Sequence, residues 1–176
     1  KVYDLSDMML LLKPELRGDL NAVFLENILS DSDKTNDTVA PEALANLLED
    51  AGFGMAACGF SKAYDRGPEG IDGTWMLLEE RGIFPTGIRP EDEQGTLEIK
   101  EVNGIKTAFL QYTATVTNKT RKKMISAGTE RMVPDAEISL IAEEIGSARK
   151  QGAEAVIVLL KWGKTDNKPG NEQREL

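Results

Sequence analysis

A chain of 176 residues, 40% hydrophobic and 29% charged, is long enough to bury the core of one domain and ordinary for a globular protein. Its formal charge of −9 disfavours nucleic acid and anionic membranes as general partners through long-range repulsion. Histidine is absent and Cys58 is the single cysteine, so an internal disulfide, imidazole metal sites and Ser/His/Asp or Cys/His catalysis are excluded within this segment.

The segment opens on Lys1 and closes on residues 172–176, which read as the first turn of a helix, so it is expected to be a single α/β domain over residues 1–176 cut from a longer protein. No apolar run is long enough to span a bilayer, and residues 8–12 are only a short helix face. Residues 20–25 form a short apolar strand, and residues 30–38 a polar loop. Pro41 opens a helix with Leu44, Leu47, Leu48 and Ala51 on one face, and Gly52 ends it. Residues 53–58 form the next strand, with Cys58 read as a small buried hydrophobe. A helix over residues 69–81 puts Ile71, Trp75 and Leu78 in register and stops at Gly82, before a short strand at residues 83–86.

Residues 96–102 and 105–112 flank Asn103-Gly104, a strong hairpin signal. Pro134-Asp135 starts a long helix whose stripe is Ile138, Ile141, Ala142, Ile145 and Ala148. Residues 155–160, AVIVLL, predict a strand buried on both faces. Strand and helix alternate around one hairpin, which predicts a mixed, mostly parallel sheet flanked by helices, with one sheet edge or face left incomplete.

In such a sheet, ligands bind beyond the carboxyl ends of the strands. The turns expected there follow residues 25, 58, 110 and 160, and their candidate cleft groups are Glu26, Ser61, Lys62, Asp65, Lys161, Trp162 and Asp166. Carboxylates alone could hold only a hard, oxygen-ligated cation, which the two lysines would repel, so no metal and no cofactor is expected. Phosphate loops of Walker spacing are absent. Asp65-Arg66-Gly67 reads as a turn and capping device ahead of the helix, and Trp162 as a lid over the sheet end.

Taken in order, these residues resemble the bacterial capsule-synthesis family, the poly-γ-glutamate or CapA-like proteins, which are similar to calcineurin-type metallophosphoesterases. Residues 19–26 resemble the family strand ending Gly-Asn-Leu-Glu, residues 41–53 the helix leading to Asp-Ala-Gly-Phe, and residues 59–67 the Ala-Asn-Asn-His-x-x-Asp-x-Gly motif. Residues 101–112 resemble the family hairpin, residues 148–163 the strand ending His-Trp-Gly, and residues 169–176 the Pro-x-x-x-Gln-x-x-Leu stretch. The departures fall on the family's site: Phe24 replaces an Asn, Phe60-Ser61-Lys62 replaces Asn-Asn-His, Lys161 a His and Thr165 a Glu, while Glu26, Asp65 and Gly67 are kept.

The resemblance implies a metallophosphoesterase-like fold in an extracytoplasmic, membrane-associated or cell-surface bacterial protein. The altered motif implies a catalytically degenerate binding or scaffold module rather than an enzyme. Its implied partners are an anionic or carboxylate ligand or capsule-synthesis membrane proteins. An anion site at Lys62 and Lys161, or a metal-dependent hydrolase completed by residues outside the chain, are the alternatives. Lys62 or Lys161 is further expected within ion-pair reach of Glu26 or Asp65, in place of the lost metal charge.

Overall fold

The structure is a computed structural model that describes residues 5–30, 38–93 and 97–162. Asp166, Thr165 and the 169–176 match lie outside the described residues, as does most of the polar loop expected at 30–38. Among the described residues no helix is long and apolar enough to cross a membrane.

Helix α1 (Leu5–Leu12) leads into strand β1 (Ala22–Phe24). Two short strands that the sequence reading lacked, β2 (Ile28–Ser30) and β3 (Val39–Pro41), pair in parallel and precede α2 (Ala43–Ala51). Gly52 closes α2 in the left-handed conformation at φ 95°, where its N–H bonds the carbonyls of Leu48 and Glu49. Strand β4 (Met55–Ala57), helix α3 (Gly67–Glu79) and strand β5 (Phe84–Thr86) follow. The hairpin of β6 (Ile99–Val102) and β7 (Ile105–Thr113) turns on Asn103 and Gly104, both at positive φ as a tight hairpin turn requires. The chain then runs through α4 (Asn118–Ala127), α5 (Ile138–Lys150) and β8 (Ala155–Lys161).

The mixed, mostly parallel α/β architecture is present, with the strands divided among three sheets rather than gathered in one. Strands β1, β4 and β5 form an all-parallel sheet in the order β1-β4-β5. In the other three-stranded sheet β7 is central, antiparallel to β6 and parallel to β8. The two sheets meet through Met55, Phe84 and Phe109, with Leu20, Val102 and Leu159 packed around them. Phe84 and Phe109 make an edge-to-face pair at 6.1 Å between ring centroids.

The main core lies on the other side of the β1-β4-β5 sheet, where Leu48, Ile71, Leu78 and Ile83 pack with Phe60, Tyr64, Met124 and Val133. Each fully buried Leu, Ile or Met in it contributes roughly 1.5–3 kcal/mol of transfer free energy.

Two burial expectations are corrected. Strand β8 was expected buried on both faces, but none of its residues is buried, and Ile157 and Leu160 are 44% and 41% exposed. Among the described residues it pairs only with β7, so its apolar run lines one side of a ladder rather than the middle of a sheet. Helix α5 is rotated from its expected stripe: Ile138 is 67% exposed and Ala142 is exposed, while Glu144 and Ala148 are buried. Small residues set this packing, since Ala148 meets Ala108 and Ala153 where α5 approaches the sheet closely.

Candidate functional site

The carboxyl ends of β1 and β8 carry the central contact. Beyond β1, the Leu25 N–H donates to the Ala57 carbonyl at 3.0 Å, which places Glu26 at the sheet rim. At the end of β8, Lys161 lies opposite Thr113, and its carbonyl accepts the Ala114 N–H at 3.0 Å. From there the Lys161 ammonium forms an ion pair with Glu26 Oε1, joining the rims of two different sheets. The side chains are 37% and 54% exposed, so water screens the pair and its worth is about 0.2–1 kcal/mol. The expected ion pair is thus made by Lys161, but at a solvated rim rather than in a buried pocket.

The turn after β4 behaves differently. Ala63 and Tyr64 take its inward positions, and the Tyr64 hydroxyl lies 2.7 Å from Thr129 Oγ1. Lys62 and Asp65 are left on the outer side, both exposed, and Ser61 is half-buried. The Asp65 N–H donates to the Lys62 carbonyl at 3.0 Å, so this is a backbone turn. Among the described residues neither side chain enters an ion pair. Asp65 does not cap α3 as expected: Arg66 occupies that position and makes no side-chain cap bond. Trp162, half-buried, follows directly after β8.

The segment after residue 110 is not a turn, because β7 continues to Thr113. From it Gln111 clamps the start of the β4 loop: its Oε1 accepts the Gly59 N–H at 3.0 Å and its Nε2 donates to the Gly59 carbonyl at 3.2 Å. Gly87, at φ +80°, leaves the room this clamp needs, since a Cβ there would stand 2.2 Å from Gln111 Oε1.

A buried polar cluster that the sequence reading missed lies beside this rim. Arg89 Nη1 and Nη2 donate to Glu144 Oε1 and Oε2 at 2.8 and 2.7 Å, and the Tyr112 hydroxyl donates to Oε2 at 2.7 Å. Burial pushes the Glu144 carboxyl up, but the Arg89 guanidinium more than offsets it, with help from Tyr112 and Arg131, and holds it below its ordinary value. Burial and the adjacent Glu144 carboxylate both push the Tyr112 phenol up. Burial likewise raises the Cys58 thiol, which stays protonated and inert. The only signal for Glu144 in the sequence was its spacing, three residues after Ile141 and four before Ala148.

Among the described residues no three His, Cys, Asp or Glu side chains come together as a metal would require. Glu26 is engaged by an ammonium, and Asp65 stands on the outside of its turn. These residues do not fit a metal ion, and no step through one is derived.

Parallel strands whose carboxyl ends carry the rim, flanked by helices, define a mixed α/β domain. The chain belongs to the bacterial capsule synthesis protein family PGA_cap, whose family model matches residues 1–176. A comparison with curated proteins finds no match.

Proposed function

We propose that this domain serves capsule synthesis as a non-hydrolytic binding or scaffold module at the bacterial cell surface, in the setting of poly-γ-glutamate. The observation that carries this reading is the Lys161–Glu26 ion pair. A cation covalently part of the chain sits on a carboxylate at the strand ends. An ammonium balances charge but offers no vacant coordination position, so it cannot ligate a water and lower its pKa as a metal ion does. What remains at the rim is a surface for recognition.

A second reading is favoured by Lys62. It is exposed, stands on the turn after β4, and is outside any ion pair among the described residues, which leaves it available to an anion or carboxylate ligand. The test for both readings is calorimetric titration with an oligo-γ-glutamate. Binding that weakens with added salt and with Lys62→Ala supports an anion site at this rim. Binding indifferent to Lys62 supports a scaffold surface elsewhere, and turnover of the oligomer would overturn the non-hydrolytic reading.

A further inference from the structure

Helix α3 buries one face in the main core and turns another outward. On that outer side Met76 is 59% exposed and Trp75 only half-buried. Together with Pro90 they floor a groove of about 780 Å³ between α3 and the turn that follows β5. All other lining residues are acidic: Asp72, Glu79, Glu80, Glu91 and Asp92. The two walls are tied together, since Asp72 Oδ1 accepts the Glu91 N–H at 3.2 Å. Arg81 lies 3.8 Å from Glu80, but its guanidinium donates to Asn46 Oδ1 and the Leu77 carbonyl.

An apolar floor inside a carboxylate rim fits a group that is aliphatic along its stem and cationic at its end. The molecule carries such a surface. On α4, Lys119, Lys122, Lys123 and Ser126 follow one another at helical spacing, and all are exposed. Ile125, 60% exposed, adds an aliphatic group beside them. The inward side of α4 is fixed by Met124, fully buried, and by Arg121, which pairs with Asp135 at 3.1 Å, so the lysines are presented by an anchored helix. Residues 117–131 contain Lys119, Arg121, Lys122, Lys123 and Arg131 against Glu130, a net +4 in a chain of net −9. The remaining residues therefore carry −13, and the charge is strongly segregated.

We propose that the acidic Trp75–Met76 groove of one copy receives the lysine face of α4 from a second copy, giving head-to-tail self-association. The two surfaces differ, so the contact is heterologous, and the pair keeps one groove and one α4 face, on opposite copies, to offer onward. Being built of charge on a solvated rim, the contact is sensitive to ionic strength. It is independent of the strand-end rim and stands or falls apart from the reading of that site.

Sedimentation equilibrium of the full chain tests it, with far-UV circular dichroism verifying that each surface variant is folded. The expected result is a concentration-dependent rise in mass at low salt that disappears in 0.5 M NaCl, where the Debye length falls to roughly 4 Å from about 30 Å at 0.01 M. Reversing the groove with Glu79→Lys, Glu80→Lys and Asp92→Lys, which takes its five carboxylates from −5 to +1, or the helix with Lys119→Glu and Lys123→Glu, which takes its three lysines from +3 to −1, should each give a monomer. Mixing the two reversed chains should restore association, because each then offers the other an opposite charge at both surfaces. A monomer at every concentration in low salt would overturn the proposal, as would association that survives either reversal or a mixture that stays monomeric.

Discussion

Arg89 and Glu144, 55 residues apart in sequence, meet in a bidentate buried pair that ties α5 to the loop following β5. Both side chains are under a tenth exposed, at 9% and 5%. Tyr112 closes the cluster from β7, so one carboxylate gathers three segments of the chain. Planar guanidinium geometry suits such a site, where a lysine would supply only a point charge.

Breaking this pair from one side should be costly. Arg89→Met or Glu144→Gln alone is expected to destabilise the fold by about 3–5 kcal/mol, since each strands a buried partner. Arg89→Met combined with Glu144→Gln should cost distinctly less than the sum of the single changes. Urea unfolding of the four proteins measures the coupling.

The same cluster predicts an acid response. Folding holds Glu144 below its ordinary value of 4.5, so the native state takes up a proton less readily than the unfolded chain. The stabilisation is complete above pH 4.5 and is lost as pH falls through the lower folded-state value. Stability should therefore decline on acidification below pH 4.5, and Glu144→Gln should flatten the decline. Unfolding free energy measured against pH in both proteins checks the sign.

Gly87→Ala should destabilise by more than about 1 kcal/mol, because the residue sits at positive φ and a methyl there collides with Gln111 and with the Gly59 nitrogen. Gly73→Ala, in α3 with nothing within 4 Å of the added methyl, should instead be neutral or stabilising. Thermal melts of the two variants separate a constrained glycine from an unconstrained one.

Much of this organisation was legible in the sequence, and the failures have physical causes. Asn103-Gly104 announced its hairpin because few dipeptides accept two positive φ values in succession. Gly52 and Gly82, both at positive φ, marked the ends of the helices before them for the same reason. Helix α4 was invisible to hydrophobic periodicity, since only Met124 is buried on it and polar or charged residues fill most of the rest. The α5 stripe misled because an arginine partner makes Glu144 a core residue, and periodicity cannot see a partner 55 residues away. At the rim, the resemblance implied Lys62 or Lys161 on Glu26 or Asp65 in place of the lost metal charge, and Lys161 meets Glu26, whereas Lys62 went outward because Ala63 and Tyr64 were the better core residues of its turn.

The central claim is that an ammonium, not a metal ion, meets the Glu26 carboxylate. Calorimetric titration of the purified chain with Mn²⁺ and Zn²⁺, paired with a phosphoesterase assay on each loaded sample, tests it most directly. The expected result is no stoichiometric binding, no hydrolysis, and no difference between the native chain and Glu26→Gln. One metal ion bound per chain, lost in Glu26→Gln and accompanied by phosphoester cleavage, would contradict it.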